Sequence, residues 1–211
     1  MSKLDLKYLF PTPMWTTKLE GYGILNQKLQ KYIYSLKEKD PKGEIYSNVL
    51  GWSSGDLREW HTLGVEIKSH GEEIEDFLNK INPHIAKALL DLGCDLVNLQ
   101  PNINEMWSVI NPEHATMITH IHPESVLSIA YYVKAKGNCG NFVADDPRVG
   151  SQFKVPPTYN SNILNLRKIE VEPEEGLLVI FRSYLPHFVG PNRTKEDRIV
   201  ISMNIDLIPK T

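Results

Sequence analysis

Near residue 98 the period of the hydrophobic pattern changes, and that change limits the folds open to the chain. Before it, apolar residues recur at helical spacing. Leu29, Ile33 and Leu36 do so within residues 26–40, which end in a DPKG breaker, and Ile74, Phe77, Leu78, Ile81, Ile85, Leu89, Leu90 and Leu92 do so within residues 71–96. Steps of three and four residues line up on one helix face, so both segments are predicted as amphipathic helices. Pro83 interrupts the second, because proline lacks a backbone donor and crowds the preceding turn. That segment is therefore one kinked helix or two abutting ones.

Beyond Asn98 the period is two. The stretches INEMWSVI, ATMITHIH, SVLSIAYYV, GNFVADD, IEVEPEEGLLVIF and RIVISMNIDLI are short, rich in β-branched and aromatic residues, and separated by turn residues. Such a series predicts a sandwich or small barrel. The class is α+β, mainly β: a mixed helical part over 1–98, a β core over 99–211, and one domain over 1–211. Residues 47–60, rich in glycine and serine, are expected to form an ordered loop bearing Trp52. Residues 147–165 hold three prolines and few apolar residues, and a loop of that length in a compact domain is expected to be a lid or binding loop.

With 211 residues, 41% of them hydrophobic, the chain can bury one good core. Its 23 basic and 26 acidic residues give a net charge of -3, which supplies no global attraction for nucleic acid or an anionic membrane. No apolar run approaches the ~20 residues needed to cross a bilayer, and the N-terminus lacks the apolar run of a secretory signal. A cytoplasmic protein is expected. Cys94 and Cys139 fall in different elements without metal-ligand spacing and are read as free thiols.

Strict alternation along ATMITHIH would put Thr116, Ile118, His120 and His122 on one strand face and Met117, Thr119 and Ile121 on the other. Two imidazoles one residue apart on one face can chelate a single ion, where an ordinary core would hold apolar side chains. Pro123 then ends regular pairing and leaves an open coordination position near a strand end. His187, 67 residues past His120 and just after Pro186, is the third candidate ligand. His61, His70, His84 and His114 lie in helical or loop contexts without partners.

Arg198 opens RIVISMN, where alternation sets Arg198, Val200, Ser202 and Asn204 against an apolar face of Ile199, Ile201 and Met203. A guanidinium facing a barrel interior implies an anionic ligand, and arginine pairs bidentately with carboxylates, so a dicarboxylic cosubstrate is expected. Ser128, Ala130 and Tyr132 share a face of the strand after Pro123, where small residues leave room for a cosubstrate and the tyrosine hydroxyl can bond its carboxylate. Asn104 and Trp107 lie on opposite faces of their strand, so only one can line the pocket. Asp146 and Arg148 are read as a surface ion pair beside the long loop.

Taken in order, the His-x-His-Pro before S-x-x-Y-Y-V, the F-x-x-D-D-P-R segment, the P-x-x-G-L-L-x-x-F-x-S-x-L-x-H-x-V-x-P-N segment and the closing R-I-x-I-S-x-N resemble the 2-oxoglutarate- and Fe(II)-dependent oxygenases. The opening LFPTPMW and Gly51-Trp52-Ser53 also resemble that family, so the likeness spans nearly the whole chain. The resemblance implies a double-stranded β-helix (a jelly-roll, cupin-like barrel) with N-terminal helices packed on it. It also implies Fe(II) as metal, 2-oxoglutarate as cosubstrate, O2 as oxidant and hydroxylation as the default outcome. Carried over position by position, it makes His120, His122 and His187 the metal ligands. Arg198 grips the far carboxylate, with Ser202, Tyr132 and Asn104 as further cosubstrate contacts. The chain departs from the family pattern at His122, which stands where a carboxylate completes the usual facial triad and leaves the ion with a higher net charge. Glu124, in the overlapping His122-Pro-Glu124 register, is the reserve ligand. Two other readings stay open: a three-histidine cupin-like dioxygenase that does not use 2-oxoglutarate, and a non-catalytic barrel serving as a binding module. The substrate is a small molecule or peptide, and the N-terminal helices offer a surface for a homodimer.

Overall fold

A computed structural model describes residues 4–57, 72–152 and 157–210 of the chain. Residues 58–60 of the glycine- and serine-rich loop, His61, His70, Gly71 and residues 153–156 of the long loop lie outside the described part.

Strand β1 (Met14–Lys18) leads into helix α1 (Tyr22–Lys39). Two short strands, β2 (Asn48–Val49) and β3 (Trp52–Ser53), precede helix α2 (Glu72–Asp91). Then come β4 (Leu99–Asn111), β5 (Thr116–His120), β6 (Leu127–Lys134), β7 (Phe142–Asp145) and β8 (Lys168–Val171). The last are β9 (Leu177–Arg182), β10 (His187–Val189) and β11 (Arg198–Pro209). Among the described residues the strands form two antiparallel sheets, ordered β1-β9-β6-β11-β4-β3 and β2-β5-β10-β7-β8. This is the double-stranded β-helix, the form the expected sandwich or barrel takes.

Pro83 leaves α2 as one continuous helix, which settles the alternative between one helix and two. Leu90, counted in its apolar stripe, is 58% exposed, because one step past Leu89 rotates a side chain by about 100° off the buried face. Ala88 takes the buried place instead. Both helices pack on the outer face of the larger sheet. There Leu29 and Ile33 of α1 and Phe77 and Ile81 of α2 join Ile199, Ile201, Met203 and Ile205 of β11 in one core. Buried Asn26 ties α1 to β6: its Nδ2 donates to the carbonyl of Val133 at 2.8 Å, and its Oδ1 accepts from the Tyr131 hydroxyl at 2.6 Å. A smaller core fills the space between the sheets, with Val179, Phe181 and Val200 facing Phe142 and Ala144.

Two irregularities in register decide which side chains face that interior. Against β10, His187 pairs with His120 but Val189 pairs with Met117, so β5 carries one extra residue. A bulge of this kind resets the alternation. Met117 and His120 therefore both face the interior while Ile118 is 57% exposed, which corrects the face predicted for Thr116, Ile118, His120 and His122. Regular strand also ends at His120, and His122 is placed by the turn that follows, where its N–H donates to the Ser183 carbonyl at 2.9 Å. The second bulge makes Asn104 the extra residue of β4, since Asn204 pairs with Glu105 and Ile205 with Ile103.

Candidate metal centre and its two cavities

β5 and its following turn bring His120 and His122 to the place where β10 delivers His187. One ring atom of each lies within 4.8 Å of the others, and the ring centroids are 4.3 to 5.2 Å apart. His120 Nδ1 lies 2.7 Å from the Ile118 carbonyl, and His187 Nδ1 lies 2.9 Å from the Leu185 carbonyl. A carbonyl can only accept, so in both rings Nδ1 holds the proton and Nε2 keeps its lone pair for a metal. His122 is held differently. Its neighbour is the Asn204 amide nitrogen at 3.4 Å, itself a donor, and no carbonyl fixes its tautomer among the described residues.

All three imidazoles are held neutral. Burial, and then the His120 ring, pushes His122 down to about 4, and burial with the neighbouring rings pushes His187 down to about 3. Burial lowers His120 as well, against the opposing pull of its Ile118 bond. Three close imidazoles that resist protonation are a donor set of the kind that divalent iron accepts, and iron fits it. Glu124 is not part of this set. It is exposed, with a φ of 67° on the turn after Pro123, which corrects its standing as reserve ligand.

The histidines stand between two cavities. The inner one, of about 40 Å³, runs from His187 past Tyr132, Phe181 and Ser202 to Arg198. Arg198 is 1% exposed and has no carboxylate partner among the described residues. One Nη donates to the carbonyls of Cys139 and Gly140 at 3.0 and 2.9 Å, the other to Asn111 Oδ1 at 3.0 Å, and its Nε has no partner. A buried cation oriented only by neutral acceptors is incomplete without an anion. Gly140 is required beside it. Its φ is 95°, and a Cβ there would come within 2.9 Å of the Arg198 guanidinium and 2.1 Å of the Gly190 carbonyl. The Tyr132 hydroxyl is pushed up to about 12 by burial, with Arg198 opposing, so it stays a donor.

The outer cavity, of about 260 Å³, is lined by Trp107, Glu105, Asp56, Ser53 and Tyr46 beside His120 and His122. Of Asn104 and Trp107, Trp107 is thus the one that lines the pocket. Asn104, expected among the cosubstrate contacts, accepts from Asn102 Nδ2 at its Oδ1 and donates from its Nδ2 to the Glu124 carbonyl and the Ser125 hydroxyl, a consequence of its position in the bulge. The described part of the 147–165 loop lines neither cavity. Pro147, Ile163 and Leu164 border a separate groove against Leu9 and Phe10, so the lid expectation is not met by the residues described. Asp146 and Arg148 pair at 2.8 Å on that groove, as an ion pair. Glu105 and Asp56 were not singled out in the sequence, and Ser53 only within the Gly51-Trp52-Ser53 likeness, without a site role. The signal available was the alternation of Trp52 and Ser53, of which Trp52 is core.

A double-stranded β-helix that gathers three neutral histidines between a guanidinium-ended cavity and an open one is a cupin-like barrel with a donor set that could hold a metal ion. The finer assignment comes from comparison. Residues 105–204, the stretch that holds all three histidines and Arg198, match the family model described as "Putative 2OG-Fe(II) oxygenase". No curated protein sequence matches significantly. Solved structures share the fold. A Pseudomonas putida prolyl-4-hydroxylase is 12% identical, with 92% of each chain covered and a TM-score of 0.60. HygX from Streptomyces hygroscopicus, with nickel, 2-oxoglutarate and hygromycin B bound, is 10% identical over 92% of this chain and 83% of its own, with a TM-score of 0.61. A Trichoplax adhaerens prolyl hydroxylase in complex with a hypoxia inducible factor peptide is 13% identical over 92% and 83%, with a TM-score of 0.60.

Proposed function

We propose that the protein is an Fe(II)- and 2-oxoglutarate-dependent oxygenase whose default reaction is hydroxylation of a small molecule or peptide. The observation that carries this reading is Arg198, a buried and uncompensated guanidinium at the end of a cavity that begins at the histidines. His120, His122 and His187 would hold the iron, which supplies the redox chemistry coupling decarboxylation of 2-oxoglutarate to oxidation of a C–H bond by O2. The chain's own part is positioning. Arg198 pairs with the far carboxylate of the cosubstrate, and the Tyr132 and Ser202 hydroxyls stand along the way to donate hydrogen bonds to it. Phe181, Ala130 and Val200 exclude water from that cavity. Carbonyls of Ile118 and Leu185 keep two ligand rings aimed.

Among the described residues no helix is long and apolar enough to cross a membrane. The two free thiols support a cytoplasmic setting.

The test is an anaerobic Fe(II) titration followed by 2-oxoglutarate, watching for the visible charge-transfer band of the chelated cosubstrate. The band is expected in the native chain and is lost in His122→Ala and Arg198→Ala. Iron binding without the band would point to a cupin-like dioxygenase that does not use 2-oxoglutarate. Failure to bind iron would leave a non-catalytic barrel.

A further inference from the structure

Resting on the oxygenase reading, we propose that the outer cavity takes a substrate group bearing a positive charge, an alkylammonium or a guanidinium. Its described lining contains the carboxylates of Glu105 and Asp56, the indole of Trp107 and the ring of Tyr46, and neither lysine nor arginine. Glu105 accepts a hydrogen bond of 2.7 Å from Asn204 Nδ2, and no cation among the described residues pairs with it. The Asn204 side chain is itself fixed by the Ser128 hydroxyl at 2.8 Å, so the carboxylate is held in place with no compensating cation among the described residues. Trp107 lines the cavity with its ring centroid 5.7 Å from that of His122, which sets an electron-rich indole beside the candidate metal centre. Cations are attracted to the face of such a ring.

Ser53 supplies an independent sign of a ligand. It is 1% exposed and lines this cavity, and its hydroxyl has no hydrogen-bond partner. On β3 its neighbour Trp52 turns into the helix-backed core, so alternation directs Ser53 to the cavity side. A buried hydroxyl left unmatched is costly, and an N–H donor from an ammonium or guanidinium would satisfy its lone pairs. The volume of about 260 Å³ falls just below the ~300–1,000 Å³ of pockets for drug-sized ligands, so it suits one side-chain-sized group. In their described linings the two cavities thus carry opposite signs. An anionic cosubstrate is drawn to Arg198 and repelled from the outer cavity, and a cationic substrate is sorted the other way.

The experiment is calorimetry on the nickel-loaded protein. 2-Oxoglutarate is titrated first, followed by N-acetylated amides of lysine, arginine, norleucine and glutamate. Lysine or arginine should bind about tenfold or more tightly than norleucine, the scale of one charge-assisted hydrogen bond, and glutamate more weakly still. Glu105→Gln should remove most of that preference, and Glu105→Lys should turn it toward the glutamate derivative, a reversal that a merely unfolded variant cannot show. Free lysine is titrated alongside. Tighter binding of the blocked form points to a residue within a polypeptide, and tighter binding of the free form to a small amine; either supports the charge assignment. Equal or better binding of norleucine or glutamate in the native chain, or a preference unchanged in Glu105→Gln, overturns it. Failure of 2-oxoglutarate to bind in the first titration overturns the oxygenase reading instead, while the cation titrations still report on the cavity.

Discussion

The two faces of β11 obey different rules. Ile199, Ile201, Met203 and Ile205 on one side are all 0% exposed and meet α1 and α2. Arg198, Ser202 and Asn204 on the other are oriented by named partners or line the cavity. On the helix side the requirement is apolar volume, and many residues of similar size satisfy it. On the cavity side it is a specific donor or charge at a fixed place, and few substitutions do. A loss on the first face should be read in stability, and a loss on the second in ligand binding.

The sharpest separation is expected from His187→Ala against Phe77→Ala. His187→Ala removes one of the three proposed metal donors. Its cost in Fe(II) affinity should exceed the roughly 10–100-fold typical of losing a hydrogen-bond partner behind a ligand, as measured by anaerobic titration. Phe77 is 0% exposed, with its ring centroid 4.8 Å from that of Tyr131. Phe77→Ala should lower unfolding free energy by about 3–5 kcal/mol in urea, while the folded fraction binds iron within about twofold of the native chain. Equal damage to iron affinity by both changes would show that the two faces are coupled.

That division was legible wherever alternation runs uninterrupted. β11 and, up to the register shift at Val133, β6 keep alternating faces, and Arg198, Ser202 and Tyr132 line the cavity. His120, His122 and His187 meet at one place. Where an extra residue enters a strand, periodicity gives the wrong phase. The bulge in β5 moved Met117 to the inside and Ile118 out, and the bulge in β4 turned Asn104 toward the Glu124–Ser125 turn. The wall formed by Ser53 was hidden for another reason. It is created by pairing of β3 with β4, Ser53 opposite Val109, a contact between positions 56 residues apart that no local pattern encodes. The 147–165 loop shows the converse, since its length marked it as notable without indicating which cavity it would border.

Acid should separate the faces by a smaller margin. His122 and His187 sit at about 4 and about 3 when folded, against an ordinary 6.5, because burial penalises the charged form. Below 6.5 the unfolded chain therefore binds protons that the folded chain refuses. Stability from these groups is intact above pH 6.5 and is lost progressively as pH falls toward 3–4, at no more than about 1.4 kcal/mol per pH unit for each titrating imidazole. Urea unfolding of metal-free protein between pH 7 and 5 should show this decline. A variant with His122 and His187 both replaced by Gln should show a shallower one, and an equally steep decline would place the acid sensitivity elsewhere.

The smallest effect is expected on the helix side, at Pro83. It occupies an exposed position within α2, twelve residues into a helix whose opposite face carries Ile81 and Ile85 in the core. Proline there removes one backbone hydrogen bond and crowds the turn before it, a penalty of up to ~3 kcal/mol in a regular helix. Two things reduce what Pro83→Ala can recover: the native backbone is already adapted to the ring, and alanine restores ~0.4–1 kcal/mol of unfolded-chain entropy. A net gain of about 1 kcal/mol should remain, seen as a rise of about 2–4 °C in Tm. Iron affinity should stay the same, because the buried face of α2 packs in the core on the side of the sheet turned away from the histidines. A rise in Tm accompanied by a change in iron affinity would mean that the curvature of α2 sets the strand positions behind the metal centre, joining the two faces that packing otherwise keeps apart.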